Sequence, residues 1–392
     1  MTDKLLIKRL VVDEFEYEKP DVGLDYGFNT VWRPGNVVTE QRSVLRIVTE
    51  SGVVGEYVTR SVALATLPLV ARFLIGKNAL EREYLWSNLW RGLRHYAGLG
   101  LAPVDVALWD VAGKAFDAPI YALLGYYRKR LPAYASTMHA DGLAGGLDGP
   151  EAYAAFAEAC RRRGYTAFKI HGWGFDTPRR LQQEVATIRA VRERVGDEMR
   201  LMLDPACEYP TFANAVELGR ACDAARFFWL EDPFRDGGVS AFAHRKLRQL
   251  ITTPLLQTEH LRTVYPKVDF IVAEATDFVR GDVDKDGGIT GVMKVAHAAE
   301  GFGIDIEMHG GDIACQHCMA AIRNTNYLEG PGLVHPKVDT EPPADLYLSG
   351  YRGGLTAIDG EGCVAITEGP GLGVELNWDF IEKHRTRHRT YE

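Results

Sequence analysis

The sequence predicts a TIM-type barrel of alternating β/α units preceded by an α+β domain, on three observations. An apolar run, Phe227-Phe228-Trp229-Leu230, enters Glu231-Asp232-Pro233, as a strand buried on both faces and ending in acids would. The same pattern stands 27 residues earlier in Leu201-Met202-Leu203-Asp204-Pro205, and 28 residues later in Pro254-Leu255-Leu256-Gln257-Thr258-Glu259-His260. The step then continues outward through Lys169 with His171, Asp282, His309 and Glu329, at spacings from Lys169 of 35, 27, 28, 23, 27 and 20 residues. A strand with its crossover helix takes roughly 30 residues. Reactive side chains at the C-terminal ends of successive parallel strands are where such a barrel keeps its active site.

Composition narrows the function classes. At 392 residues the chain is long enough for two domains. With 46% hydrophobic and 25% charged residues it is not a disordered chain. A net charge of −8 without a basic run argues against a nucleic-acid partner. No run approaches the roughly 18 apolar residues of a membrane span. Met1-Thr2-Asp3-Lys4-Leu5 resembles neither a signal nor a transit peptide. The six cysteines are scattered and form no disulfide framework, so a cytoplasmic setting is expected.

Taken in order, residues 1–127 form the α+β domain. Leu5–Tyr17 and Val44–Tyr57 are β-rich, the second around a Glu50-Ser51-Gly52 turn. Between them Asp21–Gln41 reads as a long loop carrying Tyr26, Phe28, Trp32 and Arg33, and loops of that length are uncommon unless they act as lids or are disordered. Helices follow at Ala63–Ile75, Glu81–Arg91 and Pro103–Phe116. From Leu131 strand and helix alternate, with helices at Pro150–Arg163, 178–195, Ala213–Ala225, Ser240–Ile251 and Ile289–Gly301, the pattern of a parallel sheet. The barrel occupies 128–335, and the Pro/Gly-rich segment 336–392 is expected to pack back on the first domain. Cys315-Gln316-His317-Cys318 lies in a helical segment without a second CxxC, and reads as ordinary core cysteines. Asp282-Val283-Asp284-Lys285-Asp286-Gly287 opens like an EF-hand, but Met293 stands where the bidentate Glu belongs.

The carboxylates Asp204, Glu231 and Glu259 are a hard, all-oxygen donor set, which suits Mg²⁺ better than Zn²⁺. Such an ion would stabilise the charge that grows on a substrate carboxylate when its α-proton leaves. Two groups flank the trio. Lys169 and His171 share a strand face, and the ammonium disfavours a protonated imidazole. Asp282 and His309, from adjacent strands, are placed to form a hydrogen-bonded dyad. Glu329 is a further candidate, as a hydrogen-bond partner of the substrate carboxylate.

With these motifs the chain resembles the enolase superfamily, in particular its mandelate racemase-like subgroup. The resemblance rests on Pro103-Val104-Asp105-Val106-Ala107-Leu108-Trp109-Asp110-Val111-Ala112-Gly113-Lys114, Leu123-Leu124-Gly125, the Asp204/Glu231/Glu259 trio and Asp282 to Gly291. His309, Glu329 and Pro370-Gly371-Leu372-Gly373 complete it. It implies a capping domain, a (β/α)7β barrel, one Mg²⁺, and abstraction of the proton α to a carboxylate. It also makes the 21–41 segment part of a lid reading the substrate through Tyr26, Trp32 and Arg33, and His95 is a further candidate contact. One departure stands out: the subgroup commonly carries Lys-x-Lys on the second strand, and this chain has Lys169-Ile170-His171. Which of Lys169, His171 and His309 takes the α-proton is therefore open. The first reading is dehydration of a sugar acid to a 2-keto-3-deoxy acid; the alternatives are racemisation or epimerisation, and a metal-binding protein without catalysis. The expected partners are a small-molecule carboxylate and further copies of the chain.

Overall fold

The computed structural model describes residues 5–174, 177, 179–330, 332–338 and 344–392. β1 (Ile7–Leu24) and β2 (Thr30–Thr49) form a long antiparallel hairpin, and β3 (Val54–Arg60) pairs with β2. Leu10, Val12, Leu45 and Ile47 turn one face of this sheet into the main core, the period-2 pattern of a half-covered sheet. α1 (Leu67–Leu74), α2 (Arg82–Leu93), α3 (Leu101–Ala115) and the short α4 (Ile120–Leu124) follow, with α3 lying against β3.

Residues 21–41 are not a loop. They are the outer half of the hairpin: Val22 pairs with Trp32, Gly23 with Val31 and Leu24 with Thr30, leaving 25–29 as the turn. The alternation that identifies a strand is broken here by prolines, glycines and a register shift between Pro20 and Val22. Asp21 sits at φ 59° and its Oδ1 accepts from the Gly35 amide at 2.7 Å, a bulge that re-aims the ribbon.

The barrel runs β4 (Arg130–Ser136), α5 (Pro150–Arg163), β5 (Ala167–His171), α6 (Arg180–Val195), β6 (Arg200–Asp204), α7 (Phe212–Ala224), β7 (Trp229–Glu231), α8 (Ala241–Arg248) and β8 (Leu255–Gln257). It continues through α9 (Val264–Val272), β9 (Phe278–Gly281), α10 (Gly288–Gly301), β10 (Asp305–Met308), α11 (Ile313–Ala321) and β11 (Leu328–Glu329). The strands pair in chain order and β11 returns to β4, closing an eight-strand parallel barrel with seven intervening helices. The helix expected over 178–195 is α6; Pro178 lies outside the described residues. Sequence reading missed α9, because Pro266 in its first turn and its β-branched residues hide the helical period.

Strand parity decides what reaches the barrel axis. Tyr134, Ala167, Met202, Trp229 and Leu256 form the inner cluster, while Phe168, Ile170, Leu201, Leu203 and Leu230 join the core between strands and helices. The inner parity carries Lys169 and His171 on β5, Asp204 on β6 and Glu231 on β7 to the barrel's C-terminal mouth. The inner apolar layer beneath them keeps water out.

The chain's last part, β12 (Tyr347–Ser349), β13 (Cys363–Ala365), β14 (Glu375–Leu376), α12 (Trp378–Lys383) and β15 (Arg385–Tyr391), ties the two regions together. β13 pairs with β4 and β15 with β1, and Leu376 and Ile381 pack on Phe15, Tyr17 and Val44. Buried acids on α3 add two more ties. Asp105 accepts from the Thr290 amide at 2.9 Å, beside a Gly288 (φ +88°) whose Cβ would meet its carboxylate. Asp110 accepts from the amides of Glu56 (2.7 Å) and Leu372 (2.8 Å). Six free cysteines include buried Cys315 and Cys318 in α11. Among the described residues no helix is long and apolar enough to cross a membrane.

The hairpin tip exposes Tyr26 and Phe28. Replacing residues 25–29 by an Asn-Gly turn is therefore expected to change global stability by about 1 kcal/mol or less, as surface changes do. Denaturant unfolding checks this; a much larger loss would make the tip part of the folding core.

Candidate active site

The strand ends bring the charged residues into one buried cage. Lys169 Nζ lies 3.1 Å from Asp204 Oδ2, 3.2 Å from Glu231 Oε2 and 3.0 Å from Glu329 Oε1. Burial by itself would strip its proton, but Glu231 and Glu329 outweigh burial and hold the ammonium's pKa well above its ordinary value. The ammonium is thus turned to three carboxylates rather than to His171.

Arg280, fully buried on β9, is the second cation of the cage. Its Nη2 bonds Glu329 Oε2 and the Tyr134 hydroxyl, both at 3.0 Å. Its Nε stands 2.8 Å from Glu231 Oε1, a charge contact whose angle leaves both atoms without a hydrogen bond. Glu329 accepts from the Ser136 hydroxyl and the Gly310 amide as well, each at 2.8 Å. Despite burial, Lys169 and Arg280 hold its carboxyl well below the ordinary range. Glu329 is therefore held between the two cations of the cage.

The trio stands at three successive strand ends. Asp204 also meets His171 Nε2 at 3.0 Å; burial is outweighed by Lys169 and His171, and its pKa is held low. Glu231 is pushed up to about 7 by burial, against the pull of Arg280 and Lys169. Glu259 bonds Lys285 Nζ at 2.6 Å, and His309 and Lys285 bring it down to about 2 against burial. Leu256 belongs to the inner cluster, so parity would send Glu259 outward; Thr258 at φ 86° turns the chain before it.

The donor chemistry fits a hard divalent cation: three carboxylates, one with a buried oxygen lacking a hydrogen bond and a raised proton affinity. The side chains stand wider apart than ligands on a single ion. Among the described residues only Cys207, Asp232 and His260 present three such donor atoms within 4.8 Å of one another.

Histidines flank the cage. His309 Nδ1 lies 2.7 Å from Asp282 Oδ2 and its Nε2 3.5 Å from Glu259. Burial disfavours its charged form, yet Glu259 and the bonded Asp282 push its pKa up to about 9. His171 Nδ1 faces the Thr137 carbonyl at 2.6 Å, which accepts the Nδ1 proton and leaves Nε2 as the nitrogen turned to the site. His139 packs over this ring at 5.0 Å, and burial drives its pKa down to about 3. β5 and β10 stand three strands apart round the ring by way of β4 and β11.

The hairpin reaches the same mouth. The Thr30 carbonyl accepts from the His139 amide at 3.1 Å, Asn29 bonds Glu208 at 3.0 Å, and Trp32 stacks on His335 at 5.4 Å. Tyr26 and Arg33 point to solvent, Arg33 crossing Gly23 on the opposite strand. His95 is exposed after α2 and, among the described residues, forms no hydrogen bond or ion pair with the site. A cleft of about 280 Å³ beside the dyad includes Tyr57, Arg60, Asp284 and Gly310 in its walls. Sequence reading missed Arg280, Lys285 and Asp232; for Arg280 a signal existed, since it lies two residues before Asp282 in an apolar run.

Comparison with known proteins agrees with this architecture. The family model described as "Enolase C-terminal domain-like" matches residues 152–380, and "Mandelate racemase / muconate lactonizing enzyme, N-terminal domain" matches 33–125. A D-gluconate dehydratase from Thermoproteus tenax is 28% identical over 87% of this chain and 69% of its own. A D-galactarolactone cycloisomerase from Agrobacterium fabrum is 30% identical over 82% and 84%. The crystal structure of a D-glucarate dehydratase from Agrobacterium tumefaciens, complexed with magnesium, superposes with a TM-score of 0.89 at 31% identity, covering 98% of this chain and 100% of that one.

Removing Arg280 leaves two buried carboxylates short of a partner. Arg280→Met is expected to cost about 3–5 kcal/mol, the usual consequence of breaking a buried pair from one side. Arg280→Lys should recover only part of this, because an ammonium cannot reproduce the guanidinium fork. Chemical denaturation measures both; a loss below about 1 kcal/mol would show that the cage does not depend on Arg280.

Proposed function

Since the chain belongs to the mandelate racemase-like subgroup of the enolase superfamily, we propose that it dehydrates a sugar acid to a 2-keto-3-deoxy acid. The observation that carries this reading is the placement of two differently wired histidines on either side of the carboxylates. His171 has its Nδ1 committed to the Thr137 carbonyl and its Nε2 set against Asp204 Oδ2 at 3.0 Å, so once Asp204 is drawn to a cation Nε2 would be the nitrogen free to take the α-proton. His309 has its Nδ1 bonded to Asp282 Oδ2 at 2.7 Å, a carboxylate partner that favours the protonated ring, the state needed to give a proton to a departing β-hydroxyl. The α-C–H and β-C–O bonds break, the hydroxyl leaves as water, and the resulting enol tautomerises to the 2-keto acid. Mg²⁺ held by Asp204, Glu231 and Glu259 would supply the positive charge that offsets the growing negative charge of the substrate carboxylate. Lys169 and Arg280 fix the Asp204, Glu231 and Glu329 side chains before substrate arrives, so little reorganisation is needed at reaction. Trp32 supports a lid role for the hairpin, since it lies against the barrel mouth.

Racemisation or epimerisation at the α-carbon is the second reading, favoured by the same two histidines facing the site from separate strands. It needs no β-hydroxyl, so the product separates the two.

The deciding experiment incubates hexonates, pentonates and aldarates with enzyme and Mg²⁺ in D₂O. A 2-keto product is expected. His309→Asn should lose elimination by about 10²- to 10⁴-fold, the usual worth of an acid–base group, while still exchanging the α-hydrogen. His171→Asn should lose both. Exchange surviving only in His171→Asn would make His309 the base, and exchange in both variants would point to Lys169. Inversion at the α-carbon without any 2-keto acid would replace dehydration by the second reading.

Glu231→Gln tests the metal assignment. A neutral amide is a poor partner for a hard dication, so the Mg²⁺-dependent rise in melting temperature and the turnover should both vanish. An unchanged metal response would sink the trio.

A further inference from the structure

We propose a second cation site at the barrel mouth, in which Cys207, Asp232 and His260 hold one zinc-class ion. The three residues come from the loops that follow β6, β7 and β8, the same strands that carry the trio. Their donor atoms, the Cys207 Sγ, an Asp232 carboxylate oxygen and a His260 ring nitrogen, all lie within 4.8 Å of one another. His260 Nε2 stands 3.4 Å from Asp232 Oδ2.

Asp232 is the observation that asks for a ligand. It is only 2% exposed, and neither carboxylate oxygen has a hydrogen-bond partner. A buried carboxylate without donors is costly. A single ion on the trio would leave this fourth carboxylate uncompensated. The backbone is committed to the arrangement: the Cys207 amide donates to the Asp232 carbonyl at 2.7 Å, and both residues hold positive φ, 62° and 35°.

The donors choose the ion. Sulfur, nitrogen and one oxygen, with a fourth position for water, match four-coordinate Zn²⁺ and its spectroscopic substitutes Co²⁺ and Cd²⁺, whereas Mg²⁺ takes oxygen alone. The two sites are thus separated by softness although they are neighbours. A Cys–His–Asp nucleophile is the competing use of these residues. It is disfavoured because His260 Nε2 stands 3.4 Å from Asp232 and neither Asp232 oxygen accepts a hydrogen bond, so the Asp–His relay that would activate a thiol is not formed. A zinc-class cation takes the sulfur as thiolate, forming the S–metal bond as the thiol proton passes to solvent. With 42% of its side chain exposed, His260 gives the ion a way in.

The test does not depend on turnover. The full chain, reduced and stripped with a chelator, is titrated with Co²⁺ in excess Mg²⁺ while thiolate-to-cobalt charge-transfer absorption is followed. One equivalent per chain should saturate the band. Cys207→Ser should abolish it, and His260→Ala should weaken Co²⁺ binding at least about tenfold, since even outer-shell losses cost that much. Circular dichroism and melting confirm that each variant is folded; the exposed His260 carries the test if Cys207→Ser is not. No band in the native chain, a band undiminished in Cys207→Ser or His260→Ala, or a band that excess Mg²⁺ displaces would overturn the proposal.

Discussion

The neutralisation of buried charge inside the barrel is the constraint on which the rest of the structure depends. Asp204, Glu231 and Glu329 are almost wholly withdrawn from water, and Lys169 and Arg280 are the cations set among them. In a medium of low effective dielectric such an array holds only if every member has its partners. Glu329 meets that condition with four contacts, including the Gly310 amide that follows His309. The cage therefore also places the loop that presents the dyad. The inner apolar layer of Tyr134, Met202, Trp229 and Leu256 excludes water from below, which strengthens each of these interactions.

The site also depends on parts of the chain remote from its chemistry. Asp105 and Asp110 look like ordinary acids on a helix, yet each accepts backbone donors from another region: Thr290 at the start of α10, and Glu56 with Leu372. Through these bonds α3 holds the N-terminal sheet, the start of α10 and the Pro370–Gly373 turn in one arrangement. Trp109 adds a bond from its indole to the Thr290 hydroxyl at 2.9 Å. The hairpin, anchored at its base by this framework, carries Trp32 to the mouth at its far end. The long ribbon and the barrel thus meet at the His139 and His335 loops.

Much of this was legible in the sequence for a local reason. A barrel strand has period two and each βα unit has a nearly constant length, so acids and histidines recurring at one-unit spacing reveal strand ends without any tertiary information. Lys169, His171, Asp204, Glu231, Asp282, His309 and Glu329 were placed at strand ends this way, together with the barrel. Where the local signal was broken, reading failed. The bulge and prolines of 20–35 disguised a ribbon as a loop, and Pro266 disguised α9. His95, chosen without such a spacing, lies exposed after α2.

Periodicity names the face on which a side chain emerges but not its partner there. That Lys169 serves Asp204, Glu231 and Glu329, that Arg280 completes the cage, and that Asp232 is buried without a donor are consequences of barrel closure, which brings β11 back to β4. Glu259 shows the limit most clearly: its inward position rests on the left-handed turn at Thr258, which no periodicity encodes. The sequence by itself determined the order of the strands and the chemistry each delivers. Only the tertiary structure decided which charges neutralise one another, because pairing depends on distances across the ring between residues far apart in the chain.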